Sequence, residues 1–412
     1  MEFETYLERY AELLVVHGLN VQLGQIVNLT GEVIHCKLLQ MLAQAAYRRG
    51  AKYVNVDLID PVQARLRVQD SQKEEFLKFV PAHVPVKFNE VLENHGAVLR
   101  LIGSEDPDSL KGVAPHKVNE MQLSIRKSLK SYYEEGVGKS KIHWTVAAAA
   151  TPKWGKKVFP ELSEEEADKA LWAEIFKICR VDRKDYLEVW QKHDEALQKR
   201  ARYLTELKIE KLHFTGPGTD LQVFLSPKAI FKGGGDTGPY GVHYEANIPT
   251  EECFTTPDYR RTEGKVRVTR PFLIHGTMIR GLELTFAKGQ IIEFKAQEGE
   301  DAFEAYIKSD AAANRLGEVA LVGIDSPIFQ SGRVFEEILF DENAACHIAV
   351  GFAYRFCLEG GDRMTPEELD QIGCNDSHVH TDMMISSEEV DVQAVTYTKA
   401  NYHIIQKGKW AI

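Results

Sequence analysis

The strongest constraint on the fold is a change in hydrophobic pattern near Leu207. Before this point, apolar segments with the period of a strand alternate with segments that have the period of a helix. After it, short alternating segments and turns dominate, as at Leu221, Val223 and Leu225. Alternating strands and helices are typical of parallel βαβ units, whereas successive short strands are typical of antiparallel sheets. We therefore predict an α/β plus α+β protein.

The predicted N-terminal domain covers residues 1–205 and is α/β with a mostly parallel sheet. The predicted C-terminal domain covers residues 206–412 and is β-rich with few helices, with the boundary at residues 203–210. In the N-terminal half we predict strands over Val21–Val27, Tyr53–Leu58, Ala97–Ile102 and Ile142–Ala149, and helices over Gly31–Arg49 and His116–Tyr133. No GxGxxG or GxxxxGK[ST] motif follows these strands, so a nucleotide-binding role lacks its phosphate loop. The N-terminal half is expected to be structural or to shape access to a site elsewhere.

Composition narrows the class of partner. The 412 residues carry a net charge of -11 and no long basic block, which disfavours nucleic acid and anionic membranes. The six cysteines form no CxxC motif and are interpreted as buried free thiols. The acidic, amphipathic start of the chain does not resemble a signal peptide, and no apolar run is long enough to span a membrane. A soluble, cytoplasmic protein is expected.

Two C-terminal segments carry possible metal ligands. The segment DENAACHIAVGFAY (Asp341–Tyr354) has the pattern of a helix with acidic residues at its start. In such a helix, His347 and Tyr354 would share one face because they are about two turns apart. In the segment NDSHVHTD (Asn375–Asp382), a short strand would project His380 and Asp382 from the same side. Each pattern also fits an ordinary packed histidine or a helix cap.

Acidic residues elsewhere could complete a metal site. Glu318 begins a strongly apolar segment, GEVALVG, and a carboxylate in a buried strand is costly unless it is paired, protonated or metal-bound. Glu251 and Glu252 are adjacent, so their side chains point in different directions and only one is expected to enter a site. On spacing alone, solvent exposure of both remains open, as does a salt bridge for Glu318.

Four segments together resemble the successive motifs of the thermophilic metalloaminopeptidase family (peptidase family M29), which includes aminopeptidase T-like and aminopeptidase S-like enzymes. They are NIPTEECFTTP (Asn247–Pro257), GEVALVGIDSPI (Gly317–Ile328), DENAACHIAVGFAY and NDSHVHTD. The resemblance implies a metal-dependent aminopeptidase with two divalent ions per chain. By motif position, the implied ligands are Glu252, Glu318, His347, His380 and Asp382, and Tyr354 is implied to be catalytic. Neither Glu251 nor His378 corresponds to a motif ligand.

The implied chemistry is hydrolysis of the N-terminal peptide bond by a hydroxide that two metal ions share. Two such ions can activate water and polarise the carbonyl together. Glu318 is expected to act as base, ligand or both, and Tyr354 to stabilise the oxyanion. Zinc is the favoured ion, and cobalt, manganese and magnesium are also compatible with mixed oxygen and nitrogen ligands.

The implied substrates are short peptides with a free N-terminus, and the family resemblance also implies a homodimer. Two other readings remain open at this stage. One is a dinuclear amidohydrolase or deacylase that acts on small amides. The other is a non-catalytic peptide-binding protein that a metal stabilises, although structural zinc sites are usually richer in cysteine.

Overall fold

The computed structural model describes residues 2–274 and 276–412, which form two compact units. The first unit contains the chain up to residue 192 and residues 235–249, and the second contains residues 193–234 and 250–412. The chain first leaves the first unit inside the long helix Tyr186–Glu206. The predicted domain boundary at residues 203–210 stays a prediction.

The first unit is built around a parallel sheet. Its strands lie in the spatial order Asn247–Ile248, His143–Ala148, Ala97–Ile102, Ile26–Glu32 and Tyr53–Ile59. Its helices are Glu2–Leu13, Cys36–Arg48, Pro61–Asp70, His83–Glu93, Pro115–Ser128, Pro152–Val158 and Glu164–Ile178. A short hairpin pairs Asp236–Thr237 with His243–Tyr244. This architecture confirms the predicted α/β character with a parallel sheet.

Two local predictions in this unit were wrong. The first strand is Ile26–Glu32 rather than Val21–Val27, and the following helix begins at Cys36 rather than at Gly31. Gly31 lies inside the strand, where a Cβ would come within 3.3 Å of the Leu101 side chain. The alternating residues around Val21 were interpreted as the strand. Gly31 was interpreted as the start of a helix, although it lies in the strand where the backbone packs closely against Leu101.

The second unit contains an eight-stranded antiparallel sheet, whose buried side chains belong to the main apolar core of the unit. Its strands lie in the order Gln290–Lys295, Glu283–Ala287, Glu263–Arg267, Thr219–Phe224, Ile209–Gly216, Asp391–Thr396, Asn401–Gln406 and Lys409–Trp410. A hairpin pairs Phe272–Ile274 with Thr277–Ile279, and the short helices are Glu300–Ile307, Pro327–Gln330, Ile338–Asp341 and Pro366–Gln371. The strand-rich C-terminal prediction is therefore confirmed.

A second antiparallel sheet in this unit carries the candidate site. Its strands lie in the order His380–Met384, His347–Gly351, Leu316–Leu321, Cys253–Thr255 and Lys232–Gly233. We call the first three the His380 strand, the His347 strand and the Glu318 strand. Alternate residues on one face, including Val319, Ile348 and Met383, pack into the main apolar core of the unit. The opposite face is left for polar side chains, because successive side chains of a strand point to opposite sides.

The predicted helix over Asp341–Tyr354 was wrong. Only Ile338–Asp341 is α-helical, Glu342–Ala344 forms a 3₁₀ turn, and the chain then enters the His347 strand. This strand is buried on both faces and paired on both edges. A short apolar run that is buried all round has no clear period, and the pairing on both edges outweighed the helix propensity of its alanines. Consequently, His347 and Tyr354 do not share a helix face.

Among the described residues, no helix combines the length and the apolar character that are needed to cross a bilayer.

Candidate metal centre

The register of the sheet places the predicted ligands on one face. Glu318 lies opposite Ala349, and Ala349 lies opposite Asp382, so these three residues form a row across three strands. His347 and His380 each lie two residues before a member of this row and therefore project from the same face. The strand predicted for His380 and Asp382 is confirmed as His380–Met384.

Glu252 joins the same face from the neighbouring strand. Cys253 lies opposite Leu321, so Glu252 immediately precedes the strand Cys253–Thr255, near the end of the sheet where Ala320 pairs with His347. Small side chains at Ala320 and Ala349 leave space between the polar groups. The carboxylates and imidazoles of this face thus meet because of strand pairing, although the residues are far apart in the chain.

The distances define two groups that share one carboxylate. In the first group, His347 Nε2 lies 3.2 Å from Glu252 Oε2 and 3.7 Å from Glu318 Oε1. In the second, His380 Nε2 lies 3.6 Å from Glu318 Oε2 and 3.4 Å from Asp382 Oδ1. In each group, one possible ligand atom from each residue lies within 4.8 Å of the others. The two oxygens of Glu318 therefore face different histidines.

The histidines are oriented by backbone carbonyls. His380 Nδ1 lies 2.8 Å from the carbonyl oxygen of Phe352, and His347 Nδ1 lies 3.3 Å from that of Ala345. Since a carbonyl can only accept, each Nδ1 carries a proton, and in the neutral ring Nε2 keeps its lone pair for a metal. Backbone support of this kind is usual for metal-binding histidines.

The donor set fits divalent cations. Glu252 Oε2 is buried. Its ion contact with His347 is present, but it receives no hydrogen bond from the described residues. Three carboxylates and two imidazole nitrogens offer the mixed oxygen and nitrogen ligands that divalent transition metals accept. Burial of so much negative charge is costly unless cations compensate for it.

The acidic surroundings shift the pKa values of both histidines. Burial alone would lower the pKa of His380, but the Asp382 and Glu318 carboxylates and the Phe352 carbonyl together raise that pKa to about 9. Burial likewise opposes the effect of Glu252 and Glu318 on His347, whose pKa is nevertheless raised well above its usual value. The carboxylates therefore favour protonated imidazoles when no metal ion competes.

The carboxylates respond in different ways. Burial raises the pKa of Glu318, although its hydrogen bond with His347 opposes this effect. For Asp382, burial acts to raise the pKa, but the charge and hydrogen bond of His380 together with the charge of His347 and a backbone hydrogen bond lower it.

Sequence analysis missed Glu342 as a member of this acidic cluster. Burial and then the charges of Asp382 and Glu252 raise its pKa well above the usual range. It lies outside the two groups that share Glu318. Its position at the start of an expected helix suggested only a cap, whereas the actual 3₁₀ turn directs it toward the cluster. The acidic pair Asp341 and Glu342, five to six residues before His347, was the signal that could have indicated it.

Tyr354 lies beside the second group. Its ring centroid is 5.3 Å from that of His380, and its ring stacks on Phe356 at 5.0 Å. Burial, followed by the charges of Glu318 and Asp382, raises the pKa of its hydroxyl well above the usual value, so the hydroxyl stays protonated.

The two other residues that the sequence left open lie apart from these groups. His378 is exposed, and Asp310 accepts a hydrogen bond from its backbone N–H at 2.9 Å. Glu251 is buried, and its Oε2 lies 3.5 Å from His193 Nε2. The adjacent residues Glu251 and Glu252 therefore take different partners.

Comparison with known proteins identifies the family. The family model described as thermophilic metalloprotease (M29) matches residues 3–410. The chain belongs to this family. It is 39% identical to aminopeptidase PepS of Streptococcus thermophilus over 100% of this chain and 99% of the relative. It is 38% identical to aminopeptidase T of Thermus thermophilus, again over 100% of this chain and 99% of the relative.

The structural comparison agrees. Wild-type AmpT from Thermus thermophilus matches with a TM-score of 0.92 and 38% identity, and the match covers 100% of both chains. The predicted family is thus confirmed, and the predicted class of metallo-aminopeptidase hydrolase is confirmed at the level of the family and its curated relatives.

The pKa shifts predict how pH affects the stability of the metal-depleted protein. A histidine whose folded pKa is raised stabilises the fold fully below its unfolded pKa, about 6.5. That contribution is lost as pH rises through the folded value, about 9 for His380. Raised carboxylate pKa values at Glu318 and Glu342 act in the same direction. We expect the melting temperature in chelator to fall between about pH 6.5 and 9.

Differential scanning calorimetry of the chelated protein across this pH range measures the effect. His380→Asn should reduce the slope of melting temperature against pH. His378→Asn, which changes an exposed histidine two residues away, should leave this slope unchanged. A melting temperature that rises over the same interval would contradict the assigned electrostatics.

Proposed function

We propose that this protein is a metal-dependent aminopeptidase that releases N-terminal residues from short peptides with two divalent ions, most readily zinc. The observation that supports it best is the pair of ligand groups that share Glu318, one with Glu252 and His347 and the other with His380 and Asp382. Two groups with a common carboxylate suit two adjacent ions, whereas a closed structural zinc site normally has four ligands around one ion. Cobalt, manganese and magnesium have compatible ligand preferences.

When bound, the ions would lower the pKa of a water molecule and polarise the scissile carbonyl. The protein side chains supply the remaining functions. Glu318 orients both groups through its two oxygens. We keep the predicted role of Glu318 as base, ligand or both. Glu342, which lies in the same cluster outside both groups, is a second carboxylate that would take the proton of the attacking water and return it to the leaving amine if Glu318 acts only as a ligand.

Tyr354 would donate a hydrogen bond to the oxygen of the tetrahedral intermediate. No acceptor for its hydroxyl is found among the described residues, and the phenol remains protonated at neutral pH. The free α-amine of the substrate would be held by the acidic cluster, which would favour cleavage of N-terminal over internal bonds.

Activity with matched substrates tests the proposal. The metal-depleted protein should not cleave leucine p-nitroanilide, and adding zinc or cobalt should restore cleavage. The N-acetylated analogue, which lacks a free amine, should remain intact. Cleavage of both compounds would instead indicate a deacylase or general amidohydrolase, and metal uptake without any cleavage would indicate a structural metal site.

The role of Tyr354 predicts a specific kinetic defect. Tyr354→Phe should lower kcat by about 100-fold to 1,000-fold, as expected for one oxyanion donor, while KM and metal content change little. Steady-state kinetics and elemental analysis of the same samples measure both. Tyr259→Phe, whose hydroxyl donates to Asp370 at 2.6 Å, serves as the matched control and should keep full turnover. Full turnover of the Tyr354 variant would remove this role.

We also propose that the protein is a cytoplasmic homodimer and that its N-terminal domain limits access to the site. Supporting the interface, Tyr53, Val56, Leu58 and Ile59 are 58%, 40%, 49% and 45% exposed on the strand at one edge of the parallel sheet. Exposed apolar edge strands usually pair or are covered. The free cysteines fit a reducing compartment.

Sedimentation of an edge-strand variant tests the dimer. Leu58→Lys should shift the protein from dimer to monomer at micromolar concentration, because a buried charge opposes strand pairing. Ile292→Lys is the matched control, since Ile292 is 62% exposed on an edge strand of the second unit. It should leave the dimer intact. A wild-type protein that sediments only as a monomer would contradict the assembly.

A further inference from the structure

Two buried asparagines are hydrogen-bonded to the backbone of segments that carry the candidate ligands. Asn343 is 0% exposed and Asn375 is 2% exposed, and neither belongs to a candidate ligand group. A buried side-chain amide is costly unless its donors and acceptors are paired. The partners of each amide therefore show what it holds in place.

Asn343 joins the two segments that carry the first ligand group. Its Oδ1 accepts a hydrogen bond from the backbone N–H of Glu251 at 2.7 Å, and its Nδ2 donates to the Leu339 carbonyl at 2.9 Å. Its own carbonyl accepts from Ser326 Oγ at 2.6 Å. The residue after Glu251 is Glu252, and Asn343 lies four residues before His347. One amide thus fixes the backbone on both sides of the Glu252–His347 contact.

Asn375 holds a different segment. Its Nδ2 lies 2.7 Å from the carbonyl oxygen of Gly351 and 3.0 Å from that of Ala312. The carbonyl of the next residue, Phe352, accepts the hydrogen bond from His380 Nδ1. Gly351 has φ +102°, and a Cβ there would lie 2.0 Å from the Val379 carbonyl oxygen, so this turn has little freedom to rearrange. Asn375 thereby orients His380 through the Gly351–Phe352 turn.

We propose that the two ligand groups are positioned independently, the Glu252–His347 group by Asn343 and the His380–Asp382 group by Asn375. Both are positioning residues, since neither belongs to a ligand group and the amides contact backbone groups beside the ligands. The inference rests on the proposed two-ion site. Loss of an outer-shell partner typically weakens metal affinity by about 10-fold to 100-fold.

Cobalt titration of the metal-depleted full-length protein tests the assignment. Asn343→Leu and Asn375→Leu keep approximately the same side-chain shape and remove the amide. Each should weaken the affinity for one of the two cobalt ions by about 10-fold to 100-fold and leave the affinity for the other unchanged. Asn28→Leu is the matched control, because Asn28 is a buried asparagine in the first unit, and it should change neither affinity.

Double variants identify which ion each asparagine serves. Glu252→Gln should abolish metal binding by the first group. In this background, adding Asn343→Leu should not change the affinity for the remaining ion, whereas adding Asn375→Leu should lower it. In an Asp382→Asn background the pattern should be reversed. Equal weakening of both ions by either asparagine variant would overturn the proposal, as would a wild-type protein that binds a single ion.

Thermal unfolding in chelator separates positioning from folding. The leucine variants of Asn343 and Asn375 should have melting temperatures within a few degrees of each other when metal is absent. Each variant should nevertheless lose affinity for a different one of the two cobalt ions. If either leucine variant fails to fold, the corresponding alanine variant takes its place. The crossed cobalt pattern without any cleavage of leucine p-nitroanilide would support the positioning roles and overturn the proposed function, so the two failures are distinguishable.

Discussion

The concentration of buried carboxylates on one face of a single sheet is the constraint on which the second unit depends. Glu252, Glu318 and Asp382 converge with two histidines in a region largely removed from water. Such a cluster is unfavourable in isolation, and only protons or cations can compensate for its charge. The apolar core on the opposite face supplies the stabilisation that keeps the strands together despite this cost.

Antiparallel pairing fixes the positions of the ligand side chains relative to one another. A row of opposed residues across three strands fixes Glu318 and Asp382 on either side of Ala349, and the period of two adds the histidines. A shift of one residue in any strand would turn its ligands into the core, so the hydrophobic pattern protects the register. The chain segments at the ends of these strands lack this protection. Buried amides and backbone carbonyls hold them instead, as at Asn343 and Phe352.

Several features were predictable from local pattern. The parallel sheet of the first unit follows from alternating strand and helix segments, and the His380 strand follows from the spacing of His380 and Asp382. The segment from Asp341 to Tyr354 was not predictable in this way. Its alanines favour a helix, yet pairing with strands on both sides made it a central strand from His347 onward. The same error led us to interpret Glu342 as a helix cap. Because the predicted helix does not form, Glu342 has no such role.

The sequence by itself determined the family, the two kinds of architecture and the residue types that could hold a metal, because these depend on motifs and on periodicity within short segments. The tertiary structure alone decided that Glu318 faces both histidines, that Glu342 joins the acidic cluster and that Glu251 turns away toward His193. These outcomes depend on strand register and on contacts between residues far apart in the chain. No local pattern of hydrophobicity contains that information, since the same segment can pair in more than one way until its neighbours are in place.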